Sequence, residues 1–477
     1  MVDRGIGVGG LADSLENFTT SRYNLYAPFE FNQEVVSHRT ATYTPRQHLD
    51  NYDSTMPIVF EIPPEVDHFT KLKTLKLHGN LRVENTTTNK APEAPEVWSL
   101  CNGYPHALFS NVSVTVGDHE VVDSTSKPYP YKAILENLLV HEKAYSETVM
   151  PADGFIKDTN GDPDAINVKN NRGILTGENT GFIRRSEGLR NGEPKEFCIS
   201  LHSDVITATR DLPPGIKMEV RLTRNSDSFV IWSPDSNRVG APPAKDQPDE
   251  RVHHKYKLIL SDLRLTIEKV KVTDDIFNNY YNAVGRSAGR LAEIPFTRNM
   301  IRTYTTKENQ LDWSFPNFVT NNQLPETVYV VFVPIDAYEG APSENPFYFK
   351  EIKFQEASLI INARHEPSIP LTNVMDRYRM RDFYDHFLNN TGRDHFNSTA
   401  VNISMEEYFK KGYFILAWDR TPSGNNRFTR STMDQGAITL NLKLQERQDV
   451  KYQVIMYCSY SDAIKIDGVN VTSSVTF

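Results

Sequence analysis

A chain of 477 residues is longer than one ordinary hydrophobic core supports, so two or more domains are expected. Its formal charge of −9 argues against a protein that coats or reads nucleic acid, whose binding face needs clustered Lys and Arg. Cys101, Cys198 and Cys458 suit a reducing compartment better than a disulfide framework, and no run of 18 apolar residues is present to cross a membrane.

In chain order, residues 1–54 read as an N-terminal arm, Gly-rich at first and then polar, with little sustained period. Gly5, Gly7 and Gly10 satisfy G-x-G-x-x-G, but without the strand before and the βαβ unit after that a phosphate cradle needs. The opening MVDRGIGVGGLADSLENF has Gly where a secretory signal needs continuous apolar residues, so a non-secreted protein is expected. From Pro57 the pattern becomes β. Ile58, Phe60 and Ile62 alternate, and Leu75, Leu77, Leu81 and Val83 continue an every-second-residue rhythm with Gly79 in the missing beat. Val112, Val114 and Val116 predict a strand that ends in a tight turn at Gly117-Asp118. Tyr131, Ile134, Leu135, Leu138 and Leu139 then form a helical stripe. A polar stretch at 150–196 reads as a long loop that acts at a surface or an interface. Strands resume over Phe197–Leu201 and Ile216–Leu222.

Ser233–His254, rich in Pro and charge, is the expected linker between a first domain at 55–232 and a second at 255–477. Beyond it Tyr256, Leu258 and Leu260 alternate on one parity and Leu263, Leu265 and Ile267 on the other, which predicts a β-bulge near Asp262. Asp274 and Asp275 open a helix, where carboxylates suit the positive end of its dipole. Ser404 and Glu407 form a capping box for a short helix ending by Gly412. A strand over Tyr413–Trp418, a turn at Asp419–Pro422, and strands built on Ile438–Leu444 and Val450–Met456 complete the chain.

One unit occurs twice. Phe109 and Phe354 each head an alternating strand, and Leu135, Leu138 and Leu139 map onto Met380, Phe383 and Tyr384 at the same shift of 245 residues. Short alternating strands with turn signals and few helices indicate a sandwich, here duplicated: all-β, two tandem eight-stranded jelly rolls with short inserted helices and long loops.

PHALFSNVSVTVGDHEV followed by YPYKAILENLL resembles the first-domain hairpin and helix of major capsid proteins of Polinton/Maverick elements, adintoviruses and virophages. GYFILAWDRTPSG and the strands after it resemble the ending of the same proteins, and NLYAPFEF with PIVFEIPPEVDHFTKLKTLKLHGNLRVEN their entry. The likeness runs from about Leu25 to Val471, with Arg420 standing where the family usually has Leu. It implies a double-jelly-roll capsomer protein of the virion, a homotrimer among neighbouring capsomers. The resemblance also implies a single-jelly-roll penton protein at the five-fold vertices and assembly in the host nucleus or cytoplasm. The motif positions carried over are structural: Pro105, His106, Leu108, Phe109, Tyr129, Pro130, Tyr131, Asp419, Thr421 and Pro422. No catalytic, cofactor or metal residue is expected. A bicupin would need an H-x-H, which the chain lacks, and no hydrolase elbow, Walker A loop or H-E-x-x-H helix occurs. The alternative reading is a tandem jelly-roll carbohydrate-binding protein, which would display exposed aromatics from a chain with four Trp.

Overall fold

The structure, a computed structural model, describes residues 34–473 apart from 48–51, 53–55, 87, 93–96, 121–128, 140–142, 160–165, 170–173, 178, 234–237, 240–251, 254, 287–291, 320–322, 373–379, 392, 395–397, 400, 422–434 and 468–469. Sixteen strands build its two sandwiches. The first eight are β1 (Val35–Tyr43), β2 (Ile58–Ile62), β3 (Phe69–Asn85), β4 (Phe109–Val116), β5 (His119–Glu120), β6 (Lys195–Ser200), β7 (Met218–Arg224) and β8 (Tyr256–Val272). The second eight are β9 (Ala292–Thr305), β10 (Asp312–Pro316), β11 (Thr327–Pro334), β12 (Phe354–Ile361), β13 (Arg364–Thr372), β14 (Leu416–Asp419), β15 (Ile438–Leu444) and β16 (Tyr452–Asp467).

Their hydrogen bonding is that of two complete jelly rolls. The first has sheets in the order β1-β8-β3-β6 and β2-β7-β4-β5, and the second β9-β16-β11-β14 and β10-β15-β12-β13, with a short further strand, Asn470–Ser473, paired to the end of β16. Each strand of the second takes the place of the strand eight earlier. The duplicated unit is in register: β4 and β12 are both eight residues long and begin at Phe109 and Phe354.

Alternation explains the cores. On β7, Met218, Val220 and Leu222 face inward between Ile62, Phe60 and Ile58 of β2 and Val116, Val114 and Val112 of β4. Ile438, Leu440 and Leu442 do the same in the second unit against Ile361, Leu359 and Ala357. The bulge predicted from the parity switch is present: Asp262 has φ 54° and the β8–β3 register shifts between Ser261 and Arg264. It drives Leu263 across the sheet. A Cβ on Gly79 would meet Leu263 Cδ2 at 2.5 Å and Phe197 Cζ at 2.7 Å, which is why that beat is glycine.

The domain boundaries differ from those expected. β1, inside the expected arm, is the first strand of the first jelly roll, and β8, inside the expected second domain, is its last, hydrogen-bonded between β1 and β3. The unit therefore runs from Val35 to Val272. Residues 233–254 are thus an excursion between β7 and β8, with Arg238 paired to His253 where it is described; Ser233 N donates to Pro342 O at 2.7 Å, tying the excursion to the second unit. The change of unit falls between Val272 and Ala292, across the helix Asp274–Arg286 with its two leading carboxylates.

Five helices matter below: α1 (Tyr104–Ala107), α2 (Tyr129–Leu139), α3 (Asp274–Arg286), α4 (Met380–Asn389) and α5 (Met405–Lys410). The capping box of α5 forms as expected, with Glu407 N donating to Ser404 Oγ and Ser404 N to the Glu407 carboxylate. No helix among the described residues is long and apolar enough to cross a membrane.

Candidate functional site at the seam of the two jelly rolls

Side chains from the two units converge along a seam; of the motif positions Tyr131 reaches across it, with His106 and Tyr129 beside it on the side of the first unit. Pro105 sits in the first turn of the buried α1, where its missing N–H costs nothing. His106 is buried, with Nδ1 3.0 Å from Tyr129 Oη and its ring edge-on to His202 at 4.7 Å. Burial and the neighbouring His202 hold its pKa well below the ordinary value, so the imidazole is neutral. Leu108 and Phe109 are fully enclosed in the first core. Pro130 lies in the first turn of α2, and Tyr131 reaches across the seam: it stacks on Tyr338 at 5.6 Å and meets the edge of Phe347 at 5.6 Å. Such offset and edge-on pairs add to the gain from burial.

A polar cluster beside these rings was not foreseen. Lys132 pairs with Asp204, and His202 Nδ1 lies 2.5 Å from Glu136 Oε2. From the second unit, Tyr457 Oη bonds Glu136 Oε1 at 3.0 Å, and Asn299 donates from Nδ2 to Asp204 Oδ1 at 3.0 Å and from its backbone N to Asp204 Oδ2 at 3.0 Å. Burial would depress the Lys132 ammonium, but Asp204 and Glu136 outweigh it and hold its pKa above the ordinary value. Burial would raise Glu136, yet Lys132, His202 and Tyr457 keep it below the usual carboxylate range. Both groups are therefore charged at neutral pH. The i,i+4 spacing of Lys132 and Glu136 is visible in the sequence, whereas their partners lie far away along the chain.

The cluster borders an open cleft of about 360 Å³ between α2 and the outer face of the second jelly roll, with Leu135, Leu139, Ile206 and Tyr329 as apolar walls. Alongside it, residues 204–210 of the first unit cover the outer edge of β9. Arg210 Nη1 donates to Glu293 O at 3.0 Å, Thr209 N to Pro295 O at 3.0 Å, and Thr297 N to Thr207 Oγ1 at 2.8 Å. With Asp204 on Asn299 N, four alternate positions of that edge have a partner from the first unit.

The long loop, expected at a surface or an interface, also reaches the seam. Asp158 is buried against Arg185 at 2.6 Å, and its backbone N donates to Tyr413 Oη at 3.1 Å. Asn345 Nδ2 reaches its other oxygen at 3.3 Å.

The second group of motif positions does not join this site. Asp419 Oδ1 accepts from Thr421 N at 2.9 Å and Oγ1 at 2.7 Å, the local turn that ends β14. Arg420 N donates to Glu326 O at 2.7 Å, and Pro422 lies outside the described residues. Elsewhere, Glu65, Asp67 and His68 approach closely enough to surround a cation. Both carboxylates already have cationic partners, Arg39 at 2.7 Å from Glu65 and Lys271 at 3.4 Å from Asp67, so the grouping is an ion-pair network.

No family model matches the chain. An uncharacterized protein of Caenorhabditis elegans is 19% identical over 375 residues, 78% of this chain and 80% of that one. Among solved structures, a chain of the Sputnik virophage particle aligns with a TM-score of 0.57 at 10% identity, covering 95% of this chain and 91% of that one. The PBCV-1 virus capsid gives 0.52 at 8% identity (94% and 99% covered), and the Faustovirus major capsid protein 0.50 at 12% (93% and 92% covered). With these alignments over nearly its whole length and its own duplicated strand order, the chain has the double-jelly-roll fold of viral major capsid proteins.

Proposed function

We propose that this chain is a structural, non-enzymatic major capsid protein. Three copies form a pseudo-hexameric capsomer, and capsomers tile an icosahedral shell around a double-stranded DNA genome. The supporting observation is the pairing of two jelly rolls so alike that each strand has its counterpart eight positions on. Three such chains present six similar sandwiches, as a hexagonal lattice position requires. On this reading the protein works in the virion capsid, beside neighbouring capsomers and a single-jelly-roll penton protein, after assembly in the host nucleus or cytoplasm. The motifs PHALFSNVSVTVGDHEV and GYFILAWDRTPSG favour the Polinton/Maverick, adintovirus and virophage lineage. The carbohydrate-binding alternative gains nothing from the tryptophans, since Trp98, Trp232, Trp313 and Trp418 are all buried and none is displayed to stack on a sugar.

Light scattering on the purified protein is expected to give three times 54.4 kDa, with hexagonal-looking particles in negative stain. A persistent monomer or a stable dimer would refute the capsomer reading.

A further inference from the structure

Within one chain, the first jelly roll covers the outer edge of β9 through residues 204–210 and lays α2 over the neighbouring sheet face. The strand that corresponds to β9 is β1: each is the edge strand of its sheet, β1 paired only with β8 and β9 only with β16. Yet the two edges are treated differently. Among the described residues, β1 has no backbone hydrogen-bond partner other than β8. Eight of its nine residues are exposed or half-buried, Val35 at 52% and Val36 at 61%.

A long open edge is a template for another chain, and proteins that leave one unused usually block it with Pro, Lys or a bulge. The edge strand β13 follows that rule, carrying Pro367 and Pro370. β1, VVSHRTATY, has neither Pro nor Lys; its register shift lies at its very start, between Val35 and Ser37, and its Arg39 is held by Glu65 at 2.7 Å. Its exposed Ser37, Thr40 and Thr42 are of the same kind as Thr297, Thr327 and Ser459, the small hydroxyl residues at the covered face of the second unit.

The covering side shows the complementary asymmetry. In α2, ten of eleven residues are buried, because the helix has its own core on one side and the second jelly roll on the other. Its counterpart α4 buries Phe383 and Phe387 in its own core, while Arg381, Asp382 and Asn389 are exposed. One helix is packed against the other unit of its own chain; among the described residues, the other is packed only within its own unit.

We propose that β1 is the acceptor edge for a second copy of this chain, whose second jelly roll covers it as the first jelly roll covers β9 within each chain, with the outer face of α4 turned toward it. This rests on the capsomer reading and places its contact. Each copy then offers one second jelly roll and one β1, a heterologous pairing that closes with three copies. Six seams alternate around the ring, three inside chains and three between them.

The test introduces lysines on the open edge, Thr40→Lys with Thr42→Lys. Both side chains are exposed, so the fold should tolerate them. Light scattering is expected to show wild-type protein at three times 54.4 kDa and the variant at 54.4 kDa, with unchanged far-UV circular dichroism. Hydrogen exchange on the wild type supplies a second reading that needs no variant. Amides of residues 35–43 should be protected in the trimer and exchange at least tenfold faster in protein diluted to monomer. A trimeric variant, or a β1 that exchanges equally fast in both states, overturns the placement of the contact while leaving the capsomer reading intact. A monomeric wild type overturns both.

Discussion

Asp204 is the residue on which the seam depends most directly, and its removal has a calculable consequence. The carboxylate is fully buried and Lys132 is 8% exposed. Asp204→Ala leaves the ammonium with Glu136 at 3.9 Å as its remaining anion and takes the acceptor from Asn299 N. Stranding one member of a buried ion pair costs about 3–5 kcal/mol, and an orphaned buried amide adds ~1 kcal/mol. With m-values of about 2–3 kcal/mol/M for a unit of this size, the first urea transition should fall by roughly 1–3 M. All four tryptophans are buried, so their fluorescence reports the loss. Two packed units need not unfold in one step, so the first midpoint is the quantity to compare. Adding Lys132→Met removes the stranded charge and should restore most of the shift. A drop below about 0.3 M, or no rescue by Lys132→Met, would show that the pair does not hold the seam.

Leu138→Asp and Phe383→Asp place a charge in the buried faces of α2 and α4, costing several kcal/mol each; both should lower the yield of soluble protein, and wild-type melting from either would contradict the packing. The three thiols should stay reduced: alkylation after unfolding without reductant should add three adducts by intact mass, and a bridged pair would leave one. In the native state Cys198, half-buried, should react first, because burial pushes the Cys458 thiol up to about 12 and encloses Cys101 completely. Burial lowers the His386 pKa to about 4 from an ordinary 6.5, so the unfolded chain binds the proton more readily. Its contribution is intact above pH 6.5 and is lost as pH falls toward about 4, at most ~3 kcal/mol. His386→Gln should flatten that part of the melting-temperature profile, and an unchanged slope would refute the assignment.

What the amino-acid sequence determined is local and periodic. Alternation located β2, β3, β4, β7, β15 and β16, because a strand with one buried face must repeat every second residue. A change of parity located the bulge at Asp262, and a shared shift of 245 residues revealed that the unit is duplicated, with β4 and β12 beginning at the very residues aligned. Motif residues such as His106, Tyr129 and Tyr131 were legible as a group because they lie within 26 positions of each other. The partners of a strand are not written in its own pattern. β1 is exposed on both faces along most of its length, so it has no alternation to read and passed for an arm. β8 alternates clearly, but its place between β1 and β3 depends on strands about two hundred residues away, and the polar excursion before it looks like any linker. The seam was hidden for the same reason. Lys132 and Glu136 have ordinary helical spacing, and what makes them a site is that Asp204, Asn299 and Tyr457, up to 321 residues distant, are brought to them by two closed sandwiches. Only the folded chain decides that, because burial and charge pairing act across space and not along sequence.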